Sequence, residues 1–394
     1  MHRSLRNSPS NLIGGRFAAL DRASGPEIIS HNPANPAEIL WQAREEASHI
    51  DDAVLAAKSA LPAWSSMRIE QRMGVLRRLA DVFEKAEPDM ARLISDETGK
   101  PIWDAKGEAS ALAAKIQITL DDGPQSGYSR VSGYAAKMTD TRDGRCWFRP
   151  HGVMAVVGPF NFPAHLPNGH IVPALLMGNT IVFKPSDKTP AVGQFLGELL
   201  HEALEAEGSP PGVVNVVQGG VGPASKLVAH EAVDGILFTG SWTVGRRILE
   251  ANLDHPGRII ALEMGGNNPA IIMPDADLRQ AAIECVRSAF VSSGQRCTCT
   301  RRIIVHESVA DRFISAVVKA TRALTFGAPS SDPPVFMGPM VTAEARDLVL
   351  EFQKRAVSQG GEILVEATIP TDPHGHAITP GVMRVPAFTR DTEG

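Results

Sequence analysis

The sequence predicts an α/β protein built on a doubly wound parallel sheet. Three observations carry that prediction. From Val153 onward, short apolar runs at 153–157, 180–183, 213–217, 235–239 and 259–262 alternate with longer helix-compatible stretches, the pattern of strands covered by helices on both faces. Four of these five runs end in a polar or glycine-rich turn, and ligands of such sheets bind beyond the carboxyl ends of the strands. At 394 residues the chain exceeds one small core and implies two or three domains.

In chain order, residues 12–50 read as short strands and turns, rich in Asn, Pro and Gly as in His31-Asn32-Pro33-Ala34-Asn35-Pro36. Helices are expected from about Asp51. Within 68–85, Ile69, Met73, Leu76, Ala80 and Phe83 recur at steps of three and four, which puts them on one helical face. Another helix is expected to stop at Asp96-Glu97-Thr98-Gly99-Lys100-Pro101, where Gly stands near the C-cap and Pro beyond it. Residues 121–150 are rich in Gly, Ser, Asp and Arg, and 145–150 reads as an exposed strand of a surface hairpin. Cys146, with no partner motif, reads as structural.

Hydrophobic residues at 43% and charged residues at 21% are ordinary for a soluble globular protein. A net charge of −5 without a basic block argues against nucleic acid or an anionic membrane as main partner. Four cysteines are too few for a disulfide framework and fit a reducing cytoplasm. The N-terminus lacks an apolar signal core, and no segment reaches the roughly 18 apolar residues that span a bilayer.

Chemistry concentrates at Ser292-Ser293-Gly294-Gln295-Arg296-Cys297-Thr298-Cys299-Thr300, a polar turn between the apolar-faced segment 281–291 and the strand-like run 302–306. A thiol attacks as thiolate, so it needs a partly open, electropositive spot and a base within reach. Arg296 supplies charge beside Cys297. Glu263, at a strand end before Gly265 and Gly266, is the base candidate. Either residue alone is a weak signal, because lone cysteines are mostly buried and inert.

Taken together, Leu262-Glu263-Met264-Gly265-Gly266 and, about thirty residues later, Gly294-Gln295-Arg296-Cys297 resemble the paired signature of the aldehyde dehydrogenase superfamily. The resemblance implies that Cys297 attacks an aldehyde, that a hydride leaves to a nicotinamide, and that Glu263 activates the water that hydrolyses the resulting thioester. Asn161, in Pro159-Phe160-Asn161-Phe162-Pro163, matches the family asparagine that stabilises the oxyanion; the bland reading is a turn cap.

No Gly-x-Gly-x-x-Gly follows any of the five runs. Gly240 and Gly245 instead stand five apart between a strand and a helix, a turn that can hold a pyrophosphate on free N–H groups. The family carries Gly-Ser-x-x-x-Gly here, so Gly240, Ser241, Trp242, Thr243, Val244 and Gly245 are expected to receive the cofactor phosphates, and Phe160 to line the same site. Lys184 and Asp187 match the residues that hold the adenosine ribose, where a carboxylate repels a 2′-phosphate; NAD is therefore expected over NADP. His165 and His170 lack a cluster of Cys, Asp or Glu, and no metal site is expected.

Three longer stretches, 151–175, 262–269 and 294–299, match one branch of the family more specifically. That branch implies an aldehyde bearing several carboxylates, with Arg296 either as a planar fork for one of them or as a cation that lowers the Cys297 pKa. The expected domains are an NAD-binding domain at 1–130 and 150–262, an arm at 131–149 that pairs with a neighbouring subunit, and an α/β catalytic domain at 263–394. The family's Glu-x-Phe-Gly-Pro motif and final strand have no counterpart, so the chain reads as C-terminally truncated, and as a homo-oligomer if that strand is present. Alternatives are another NAD(P)-dependent aldehyde dehydrogenase, a non-catalytic NAD-binding remnant, and a cofactor-independent thioesterase using Cys297 and Glu263.

Overall fold

The structure, a computed structural model, describes residues 2–124, 127–371 and 375–387; residues 388–394 of the expected catalytic domain lie outside them. The chain divides into two compact units, Met1–Ser30 with Leu40–Leu93 and Lys106–Glu263, and His31–Ile39 with Ile94–Ala105 and Met264–Gly394.

The chain opens with a hairpin of β1 (Ser10–Ile13) and β2 (Arg16–Ala19). Its two-residue turn, Gly14-Gly15, has φ of +56° and +77°, the conformation that tight hairpins require and that glycine adopts without steric cost. A second hairpin, β3 (Glu27–Asn32) and β4 (Asn35–Arg44), precedes helix α1 (His49–Ser66). The two helices read from sequence across 68–98 are one: α2 runs unbroken over Ile69–Thr98. Of the predicted stripe, Leu76, Ala80 and Phe83 are buried. Gly99 at φ +78° ends the helix as expected.

Helix α3 (Ile102–Leu120) leads to an antiparallel pair, β5 (Tyr134–Thr139) and β6 (Arg142–Cys146). The strand expected at 145–150 therefore lies earlier. Its partner begins at Tyr134, opposite Cys146, and among the described residues the β5–β6 pairing ends there.

Strands and helices then alternate: β7 (Val153–Val157), α4 (His165–Leu176), β8 (Thr180–Lys184), α5 (Pro190–Ala206), β9 (Val214–Val216), α6 (Val221–Ala229), β10 (Gly235–Gly240), α7 (Trp242–Glu250) and β11 (Ile259–Met264). The five predicted runs are these five strands. Every residue of β7 and β8 is buried, and each buried Val or Ile contributes roughly 1.5–3 kcal/mol. The sheet order is β11-β10-β7-β8-β9-β1-β2, with β10, β7, β8 and β9 parallel. From β7 the chain proceeds one way to β8 and β9, then returns to the other side for β10 and β11. The order thus reverses between β7 and β10, and the crevice beyond their carboxyl ends is where such sheets take ligands.

In the second unit, β12 (Asn268–Ile272), α8 (Leu278–Phe290) and β13 (Thr300–Val305) form a strand–helix–strand element with β12 and β13 parallel. Asp277 caps α8 by accepting the N–H bonds of Arg279 and Gln280 at 3.0 and 3.1 Å. Helices α9 (Ala310–Arg322) and α10 (Ala343–Ser358) and the pair β14 (Glu362–Val365) and β15 (Val382–Arg384) follow. Ile272, Val286, Phe313 and Val317 form the core on which α8 and α9 pack.

Candidate active site

In the first unit the site residues hang on strand ends. The loop after β7 carries Phe160 and Asn161, both half-buried. It is tied to β8 by the Gly158 N–H, which donates to the Lys184 carbonyl at 3.0 Å. Phe160 lies under the Lys188 ammonium, 5.3 Å from the ring centre. Downstream, the buried Glu108 carboxylate accepts the N–H groups of Ala164 and His165 at 3.1 and 3.2 Å, a negative charge on the positive end of α4. The sequence reading missed Glu108, because nothing local marks a helical carboxylate as the cap of a helix more than fifty residues away.

Lys184 ends β8. Its buried ammonium donates to the Gly219 carbonyl at 2.6 Å. Burial pushes its pKa down to about 8, partly offset by the carboxylates of Asp187 and Glu45. Glu45, a second residue the sequence reading missed, is buried and accepts the Gly220 N–H at 2.8 Å. Asp187 is exposed beside it.

After β10, Ser241 is the N-cap of α7; its hydroxyl accepts the Val244 N–H at 3.3 Å. Ser241, Trp242, Thr243 and Val244 are all exposed while Gly245 is buried, so the positive end of α7 opens to solvent. An open helix N-terminus at one strand end and a lysine flanked by two carboxylates at another fit the phosphates and ribose of a dinucleotide. Glu263, next to last in β11, is exposed. His170 comes near it: its Nε2 lies 3.2 Å from the Thr239 hydroxyl, and burial lowers its pKa against the opposing charge of Glu263. Among the described residues no group of three or more His, Cys, Asp or Glu could hold a metal ion, and no helix is long and apolar enough to cross a membrane.

In the second unit Cys297 is half-buried, while Cys299 is buried and its thiol pKa is pushed up by that burial. The turn before the nucleophile candidate is strained. Ser292 and Ser293 have φ of 52° and 55°, a conformation that costs non-glycine residues roughly 1–2 kcal/mol each. Side chains hold it there. Ser292 Oγ donates to Asp104 Oδ2 at 2.6 Å, Arg296 Nη2 donates to Asp104 Oδ1 at 2.7 Å, and Arg296 Nε donates to Ser292 Oγ at 2.8 Å. Ser293 Oγ donates to the Gly338 carbonyl at 2.7 Å, and Gln295 Oε1 accepts the Val341 N–H at 3.1 Å. Asn268 Nδ2 donates to the carbonyls of Cys297 and Cys299 at 2.7 and 2.9 Å. The Arg296 guanidinium, expected to meet a substrate carboxylate or to bias the thiol, thus bonds Asp104 and Ser292. Asp104 and Asn268 are further residues the sequence reading did not single out.

The first unit thus presents an open helix N-terminus beyond β10, and the second a half-buried cysteine on a constrained turn. The profile of the aldehyde dehydrogenase family matches residues 20–390, and the chain belongs to that family of aldehyde-oxidising enzymes. It is similar to the N-succinylglutamate 5-semialdehyde dehydrogenases of Novosphingobium aromaticivorans, with 42% identity over 85% of this chain and 69% of that one, and of Sphingopyxis alaskensis, with 42% identity over 91% and 72%. Among solved structures, PnpE in complex with nicotinamide adenine dinucleotide superposes with a TM-score of 0.86 at 33% identity, covering 96% of this chain and 76% of that one. The NADP-dependent glyceraldehyde-3-phosphate dehydrogenase from Bacillus halodurans C-125, complexed with NADP, gives 0.86 at 30%, covering 98% and 79%.

Proposed function

We propose that the chain oxidises N-succinyl-L-glutamate 5-semialdehyde to N-succinyl-L-glutamate in arginine catabolism, with NAD as oxidant and Cys297 as nucleophile. The observation that carries this reading is the side-chain-pinned turn holding a half-open Cys297; the substrate rests on the relatives named for it. The Cys297 thiolate adds to the aldehyde carbon, and the Asn161 amide with the Cys297 N–H stabilises the oxyanion of the thiohemiacetal. NAD, when bound, supplies the hydride acceptor. Loss of hydride leaves a thioester on Cys297. Glu263 takes a proton from the water that attacks it, releasing the carboxylate product and the thiol.

Gly240, Ser241, Trp242, Thr243, Val244 and Gly245 hold the phosphates, Lys184 and Asp187 hold the ribose, and Phe160 lines the cofactor site. The carboxylates of Asp187 and Glu45 favour NAD, because a 2′-phosphate there would meet two negative charges. Residues 1–130 and 150–262 serve the cofactor and 263–394 the thiol chemistry. The hairpin of 131–149 pairs with a neighbouring copy, its exposed Tyr134, Met138 and Trp147 supplying apolar contact. The enzyme works in the cytoplasm.

The test is NADH formation by the purified chain given NAD and the semialdehyde, with Cys297→Ala as control. Cysteine-dependent NADH is expected, faster than with NADP. Equal turnover with NADP would remove the cofactor assignment, and activity surviving in Cys297→Ala would remove the mechanism.

A further inference from the structure

Asp104 belongs to α3 and stands 192 positions before Arg296, yet both of its oxygens serve the turn that leads to Cys297. Its side chain is 6% exposed and that of Arg296 25%. With Ser292 they close a ring of three bonds, each between 2.6 and 2.8 Å. The ring ties residue 292 to residue 296, and the backbone it spans includes two left-handed serines. A buried carboxylate with both oxygens committed fixes direction as well as distance, because the guanidinium fork and the hydroxyl must approach it in its plane.

We propose that Asp104 is a positioning residue for Cys297, acting through Arg296 and Ser292, and that Arg296 serves this ring and not the carboxylates of the substrate. The proposal rests on Cys297 being the nucleophile. Without the carboxylate, Ser292 loses the acceptor that rewards its left-handed backbone, residues 292 and 293 relax, and the thiol shifts. A displacement on the order of 1 Å at a reacting atom lowers rate by up to about a hundredfold, while leaving the affinity for the rest of the substrate in place.

The test compares Asp104→Asn, Arg296→Met and the double variant in the full chain. The readouts are the rate of the first-turnover NADH burst, kcat and KM with the semialdehyde and with butanal, and thermal melting. The double variant removes both charges, so it leaves no uncompensated buried ion and stays readable if a single variant unfolds. Expected is a burst rate reduced roughly ten- to a hundredfold with both aldehydes, a semialdehyde KM within about threefold of wild type, and a double variant no slower than the slower single, because both break one ring.

A semialdehyde KM raised tenfold or more in Arg296→Met, with butanal unaffected, would assign Arg296 to the substrate and overturn the proposal. Lowered melting with a wild-type burst would reduce Asp104 to a structural role and overturn it equally. NADH formation surviving in Cys297→Ala would remove the nucleophile itself, a failure separable from wild-type bursts in the Asp104 variants of a cysteine-dependent enzyme.

Discussion

The two units place their candidate site residues by different means. In the first, Asn161, Lys184, Ser241 and Glu263 sit at or just beyond the ends of strands of one sheet, buried at β7 and β8, and backbone ladders decide where each loop starts. In the second, Cys297 sits on a turn whose shape depends on bonds from Asp104, Asn268 and the 338–341 segment. A loop hung on a ladder keeps its place when one side chain is cut. A turn hung on side chains loses part of its shape with each bond. Substitutions in the first unit should therefore remove a chemical role cleanly, whereas those around Cys297 should disturb geometry and stability together.

Glu263→Gln puts the first half of this contrast under the most strain. The variant should release a burst of NADH and then stall, with steady-state turnover down by about 10³ and melting unchanged; a variant that loses the burst as well would give Glu263 a part in placing the thiol. Asn161→Ala should lower kcat by about 10² through loss of an oxyanion donor, again without a stability cost; a rate within threefold of wild type would return Asn161 to a turn cap. Asn268→Ala probes the other half. It should cost only about tenfold in kcat but also roughly 1–3 kcal/mol of stability, because the carbonyls of Cys297 and Cys299 lose their donor. A slowed variant that melts like wild type would blur the distinction.

The smallest effect concerns Lys184. Its folded pKa near 8 lies below the 10.5 of an exposed lysine, so between these values the unfolded chain holds a proton that the folded chain has released. Stability then rises with pH across that window. The difference in stability between wild type and Lys184→Met should shift in favour of wild type by up to about 3 kcal/mol between pH 8 and 10.5. A pH-independent difference would mean that the ammonium is better solvated than its burial indicates.

The same division explains what the sequence disclosed. The strands β7 to β11 were legible because each of the five apolar runs can be read from its own residues and corresponds to one strand. Helix α2 was legible in its stripe, though not in its length, because a stretch starting at Arg68 and a stop signal at Gly99 gave no sign of belonging together. Of the candidate site, Glu263 and Cys297 were singled out through motif resemblance. Asp104, Glu108, Glu45 and Asn268 were not, because each acts on a segment between 29 and 192 positions away, and a carboxylate or amide in isolation carries no mark of its distant partner. Arg296 shows the same limit: a cation beside a thiol gives no sign in the sequence of the Asp104 carboxylate it bonds.

The strand–helix–strand element of β12, α8 and β13 has a consequence for remodelling the chain. Cys297 lies on its return path, so the interval between Asn268 and Thr300 is a mechanical length as well as a string of residues. Exchanging outward positions such as Ile283 or Glu284 leaves that length alone. Removing a single residue from α8 would turn everything after it by about 100°, carrying Ser292 away from Asp104 and the thiol with it. Segments transplanted from other members of the family will work here only if they keep the residue count, however different their side chains.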